Sequence, residues 1–266
     1  MFIQLKKYLR LFIAIQSAGM AKEIQLRGNL ITTLIGSLCY FYLHLISFKL
    51  VIGHFQFPGW DTGQLWTLLF TFEIFTYLAF FFFWRGLQLT PKEIGTGTFD
   101  VILSKPFNSR FIAFFRNGSF HNLASAIISV VYLIFILIQY RIHTTLFGII
   151  FYLLGLAISL WIFHCISVLF VSLNFKNGYL PGTSGIAFEI QEIYKYPATI
   201  FSSSGFMIRL FIIPLSLLTT IPVTSLLLRP VSPAFLVTYL ISLIILSFWS
   251  HHSWSSALRH YSSASS

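Results

Sequence analysis

The chain has 266 residues, of which 56% are hydrophobic, 18% aromatic and only 9% charged, with a mean hydropathy of +0.82. A soluble domain averages about 25% charged residues, so the composition excludes a soluble globular protein and predicts an all-α integral membrane protein. The net charge of +10 would raise nucleic acid as a partner for a soluble chain. Here the basic residues gather in loops on one predicted side of a membrane. Orientation and anionic headgroups explain that more simply, and no nucleic-acid partner is expected.

Residues 1–27 place Phe2, Leu5, Leu9, Phe12, Ile13, Met20 and Ile24 at three- and four-residue spacing, with Lys6, Lys7, Arg10 and Lys22 on other faces. That pattern predicts a basic amphipathic helix lying in the membrane interface. The rival reading, a signal peptide, fits poorly: the apolar core 11–15 is short and Gln16 interrupts it.

Residues 28–266 hold six predicted spans, at about 28–52, 64–84, 119–140, 145–173, 206–228 and 232–249. Pro58, Gly59 and Trp60 mark the turn between the first two. Span two carries Glu73. A carboxylate at membrane depth is expensive and faces a bundle interior or a cavity. It reads as a coupling or substrate-contacting acid, or as a protonated or hydrogen-bonded side chain packed between helices. Pro214 and Pro222 leave span five open to two readings. One is a single kinked helix; the other is a span ending near 220 followed by a re-entrant piece, 222–228.

Between spans two and three, residues 85–118 form the longest basic, water-compatible segment. Thr90-Pro91-Lys92-Glu93 reads as a helix start. Gly95 and Gly97 then break the chain, residues 99–103 allow a short helical turn, and Lys105-Pro106 stops it. The segment 174–205 is polar and interrupted by Gly178, Pro181, Gly182, Gly185 and Pro197. Within it Ile186, Phe188, Ile190, Ile193 and Tyr194 allow a short amphipathic helix bearing Glu189 and Glu192.

Six spans put both termini on one side. That side holds fourteen of the seventeen Lys and Arg residues, against Lys49, Arg141 and Arg229 on the other. The positive-inside rule makes the termini, the 85–118 loop and the 174–205 segment cytoplasmic. Cys39 and Cys165 lie in apolar runs and read as buried small hydrophobes. Asn117-Gly118-Ser119 matches a glycosylation acceptor but falls on the cytoplasmic side. His251-His252 and His164-Cys165 are adjacent pairs, which point to different faces of a helix and make poor metal sites. No metal site, catalytic set or phosphate-binding loop is read in the sequence, so any ATP would be hydrolysed on another chain.

Four motifs, in order, resemble those of the type-2 ABC transporter permeases, in particular the six-span subfamily associated with drug and antibiotic export. They are Gly59-Trp60-Asp61, then Gly97-Thr98-Phe99-Asp100-Val101-Ile102-Leu103-Ser104-Lys105-Pro106, then Tyr196-Pro197-Ala198-Thr199-Ile200-Phe201, and the tail Leu258-Arg259-His260-Tyr261-Ser262-Ser263-Ala264-Ser265. Ala257 stands where the family often has Gly. The resemblance implies a multi-pass permease subunit of an ATP-driven exporter in a cell membrane, of bacterial type. It would pair with a second permease subunit, identical or related, and with a cytoplasmic ATPase. It would be no enzyme itself and hold no cofactor, with ATP and Mg on the ATPase. Short cytoplasmic coupling helices would meet that ATPase, through Gly97, Phe99, Asp100, Leu103, Lys105 and Pro106. An ion-coupled secondary carrier using Glu73 is the alternative, although no internal repeat of the kind such carriers carry is visible.

Overall fold

The computed structural model describes residues 2–25, 27–116 and 118–261. Asn117 of the acceptor motif and Ser262, Ser263, Ala264 and Ser265 of the tail motif lie outside the described residues, as do the side chains of Phe2, Leu5, Lys22 and Arg27. Among the described residues every regular element is helical: α1 (Phe2–Gln25), α2 (Arg27–His54), α3 (Thr62–Thr96), α4 (Asp100–Leu103), α5 (Ser109–Phe115), α6 (Phe120–Gln139), α7 (Leu146–Asn177), α8 (Thr183–Glu189), α9 (Phe206–Leu226) and α10 (Pro233–Arg259), with 3-10 turns at Ile190–Lys195 and Ala198–Ser203. Six of these helices, α2, α3, α6, α7, α9 and α10, are long and apolar enough to cross a membrane.

α3 is the axis of the bundle. It begins in a capping box, where Asp61 Oδ1 accepts from the Gln64 amide at 2.8 Å and the Gln64 side chain returns to the Asp61 amide at 3.4 Å. It ends at Gly97, whose φ of 75° is the left-handed conformation that glycine adopts without a Cβ penalty. The helix runs straight through Pro91, so the expected separate helix start at Thr90-Pro91 is the last turns of α3. The reason is tertiary: Leu87, Thr90, Pro91 and Ile94 are all buried at helical spacing, and that packing outweighs the local helix-breaking tendency.

Lipid is as apolar as these side chains, so helices associate through close packing and internal hydrogen bonds. Gly155 of α7 sits against Pro222 of α9. One turn on, Ser159 Oγ donates to Leu218 O at 2.6 Å, and the Tyr239 hydroxyl of α10 meets Ser159 Oγ at 2.7 Å and Gly155 O at 2.8 Å. α9 is one helix with Pro214 and Pro222 inside it, which decides between the two readings of span five.

α1 packs through Tyr8, Phe12 and Gln16 against Phe107, Phe111 and Phe115 of the 107–115 stretch. Leu9, Ile13, Met20 and Ile24 on its other face are exposed.

The segment after α7 departs most from expectation. In place of a connection confined to one side, it runs along α3. Phe188 packs on Trp84 and Phe80, Tyr194 on Phe75, Tyr196 on Phe48 of α2, and Thr199 Oγ1 accepts from Trp60 Nε1 at 3.0 Å. Advancing from 188 to 199 thus retraces α3 from Trp84 back beyond its start. Irregular backbone at membrane depth survives only where protein satisfies its polar groups. Here the Ala198 amide donates to Thr220 Oγ1 at 3.1 Å, and Thr219 Oγ1 donates to Tyr194 O.

Candidate functional site: a loop clasp and a buried carboxylate

Two sites follow from this frame, one at the end of α3 that carries the 97–106 loop and one at mid-depth. At the loop, Gly97 turns the chain and Phe99 drops, fully buried, into an aromatic box. Its ring stands edge-on to Phe175 of α7 at 5.2 Å, to Tyr261 at 5.9 Å and to Trp254 of α10 at 6.1 Å. Asp100 opens α4 at its positive end, its carboxylate near the Tyr261 hydroxyl, which donates to Gly97 O at 3.5 Å. Burial, and then that carboxylate, push the Tyr261 phenol up to about 12. Val101, Leu103, Lys105 and Pro106 face outward and are exposed. Of the loop residues expected to matter, Gly97, Phe99 and Asp100 therefore anchor the turn, and Leu103, Lys105 and Pro106 present its surface.

Three contacts fix the base of the clasp. Arg116, beyond α5, holds Glu93 of α3 with two bonds of 2.7 Å and donates to Thr90 Oγ1 at 3.1 Å. At Gly86 the two elements approach so closely that a Cβ would lie 2.6 Å from Ala113 O and from Phe114 Cα. Arg110 of α5 donates to His164 Nε2 of α7 at 3.2 Å and reaches Cys165 Sγ at 3.8 Å, and burial holds its guanidinium below its usual range. His164 is stacked on Phe83. Cys165 is buried as expected, whereas Cys39 is exposed. His251 and His252 are exposed.

At mid-depth Glu73 is fully buried on α3. Its Oε1 lies 2.7 Å from His44 Nδ1 of α2, and His44 Nε2 lies 3.5 Å from Glu192 Oε1 of the 3-10 turn. Glu192 in turn receives Lys195 Nζ at 2.5 Å and the Tyr40 hydroxyl at 3.3 Å. Glu73 is thus the inner end of a chain, Glu73–His44–Glu192–Lys195, that reaches a cleft of about 740 Å³ between α2, α3, the start of α6 and the broken segment. Glu73 Oε2 is buried without a partner.

The sequence marks Glu73 as a site residue but not His44 or Glu192. His44 had a visible signal, as an ionisable side chain within an apolar run. Glu192 had none, because its segment reads as a surface connection.

The four motifs meet in pairs. The loop motif touches the tail motif through Gly97, Phe99 and Tyr261 at one end of the bundle. Trp60 of the first motif touches Thr199 of the third at the other. There Arg229 closes the end over the Trp60 ring at 4.7 Å, donating to Gln64 Oε1 and Gly59 O at 2.6 Å each. No curated protein and no solved structure matches the chain. A profile of one family, described as ABC-2 family transporter protein, matches residues 38–265. That match takes in all six long apolar helices save the start of α2, along with the loop, the broken segment and the buried carboxylate, and the chain belongs to the ABC-2 family of transporter proteins.

Proposed function

We propose that this chain is the membrane subunit of an ATP-driven exporter, forming the translocation pathway and moved by a separate ATPase. The observation that carries the reading is the Phe99 clasp. A docking loop must transmit force to the spans, and this one holds α7 and α10 through a single buried ring while offering Val101, Leu103 and Lys105 outward. Motion imposed on the exposed side reaches both helices without passing through a flexible linker. Coupling requires contacts that differ between the two transport states, and in this reading the exposed face of the turn makes them on the ATPase.

In this reading the loop end and both termini face the cytoplasm of a bacterial-type cell, and α1 lies in the interface against lipid. A second permease subunit, identical or related, completes the pathway. ATP and Mg bind the ATPase, and this chain carries no cofactor and no catalytic residue. The test is co-purification of the tagged chain with a co-expressed candidate ABC ATPase. Asp100→Lys and Leu103→Asp are expected to reduce association and ATP-driven transport at least tenfold. Variants that bind and transport normally would remove the coupling role of the loop.

The Glu73–His44–Glu192 chain favours a second reading, an ion-coupled carrier. Reconstituted protein alone would then move substrate on a proton gradient, and Glu73→Gln would abolish it. Transport that demands ATP and survives Glu73→Gln excludes that reading.

A further inference from the structure

The cleft reached by that chain has an uneven charge inventory. The protein has seventeen Lys and Arg residues and only seven Asp and Glu. Yet among the described residues lining the cleft there is no Lys or Arg, while Glu189 and Glu192 both line it. Glu73 stands one residue behind, through His44, and Glu23 sits at the rim, 3.9 Å from His121. Two of the seven carboxylates therefore line the cleft, and two more each stand one residue behind its lining. Among the described residues the nearby cations are Lys195, held on Glu192 from outside the lining, and Arg85, close enough to His121 to act on it electrostatically.

Aromatic faces make up much of the wall: Tyr40, Tyr77, Phe80, Trp84 and Phe188. Such faces attract cations as well as apolar groups. Among them Gln191 is 98% buried, lines the cleft, and leaves its Nε2 donor without a partner. A buried unpaired amide costs free energy in the empty state, and a ligand acceptor atom would relieve it.

We infer that this cleft binds a monovalent organic cation with an apolar body, its charge set against Glu192 and Glu189 and its body packed on Trp84, Phe188 and Tyr40. A small inorganic cation would leave the aromatic wall uncovered, and an anion would meet two carboxylates in a lining that presents no Lys or Arg. The Glu73–His44 pair acts behind Glu192 as a positioning device, holding its carboxylate toward the cleft. This names a substrate class for the exporter proposed above and rests on that reading only for the word substrate; binding itself needs no ATPase.

The experiment measures equilibrium binding of tetraphenylphosphonium to the full chain in nanodiscs, with protein-free nanodiscs subtracted. Tetraphenylborate, of the same shape and opposite charge, is the competitor. Saturable cation binding is expected, tetraphenylborate should compete at least tenfold more weakly, and E192Q should bind at least tenfold more weakly. E189Q removes an exposed carboxylate and should weaken binding about threefold while leaving the fold intact. It therefore decides the matter if E192Q does not fold. Absence of saturable binding, equal competition by the anion, or unchanged affinity in E189Q would overturn the inference. None of those results bears on ATPase co-purification, so failure here and failure of the exporter reading remain distinguishable.

Discussion

Phe99, three residues beyond the end of α3, lies edge-on to Trp254, five residues from the end of α10, with ring centroids 6.1 Å apart. The contact joins the loop to the last long helix, so the box is the mechanical root of the loop. Phe99→Ala removes a fully buried ring, and such truncations cost about 3–5 kcal/mol. The variant is expected to unfold at lower temperature and to lose ATPase stimulation. Val101→Ser, on the exposed side, should leave thermal unfolding unchanged. Thermal melts of the two proteins in the same detergent separate anchor from surface.

Gly86 is the point where α3 and α5 touch. Its missing Cβ would fall 2.6 Å from backbone atoms of Ala113 and Phe114, which cannot move as a side-chain tip can. Gly86→Ala is expected to destabilise by about 1–3 kcal/mol through forced displacement of α5. Gly36→Ala, where nothing lies within 4 Å, is the control and should be nearly neutral.

Arg116 grips Glu93 with two nitrogens and Thr90 with one of the same pair. A lysine ammonium cannot reproduce that planar fork. Arg116→Lys is therefore expected to lose about 1–3 kcal/mol, close to the loss in Arg116→Met. Denaturant or thermal midpoints of both variants check this. A lysine variant as stable as wild type would reduce the contact to simple charge pairing.

Glu73 and His44 form a buried pair, and removing one member leaves the other stranded. Glu73→Leu alone is expected to cost about 3–5 kcal/mol, and adding His44→Leu should recover much of the loss. A double-mutant cycle on unfolding midpoints measures the coupling. Additive losses would show that the two groups do not act on each other.

The Tyr261 phenol is raised above its ordinary value of 10 to about 12. A raised acid favours the protonated form in the folded state, so its contribution is fully present below pH 10. It is lost as pH rises through about 12. Ultraviolet titration should show one tyrosinate class near pH 12 that disappears in Tyr261→Phe. The clasp itself is expected to hold constant through the neutral range.

Much of the architecture was legible because it is local. Runs of twenty or more apolar residues cross a bilayer whatever their neighbours, so the six long helices follow from hydropathy. The break at Gly97 was legible too, because it rests on local backbone chemistry, although the helix it ends is α3 itself. Glu73 was legible as well, because a carboxylate in an apolar run is conspicuous without any structure.

What remained hidden depends on distant partners. The 174–205 segment reads as a surface connection because it is polar and broken by glycines and prolines. Polar groups within it are satisfied by Thr219 and Thr220 of α9 and by Trp60 at the head of α3. The same threading carries Glu192 to His44 and so turns Glu73 from an isolated acid into the inner end of a chain opening on a cleft. The sequence by itself determined that the chain is a helical membrane protein, where its long helices run and which loop breaks them. Only the tertiary structure decided which face of that loop is anchored, and that a polar segment lies inside the bundle. Hydropathy is a property of neighbours along the chain, whereas satisfaction of buried polar groups is a property of neighbours in space.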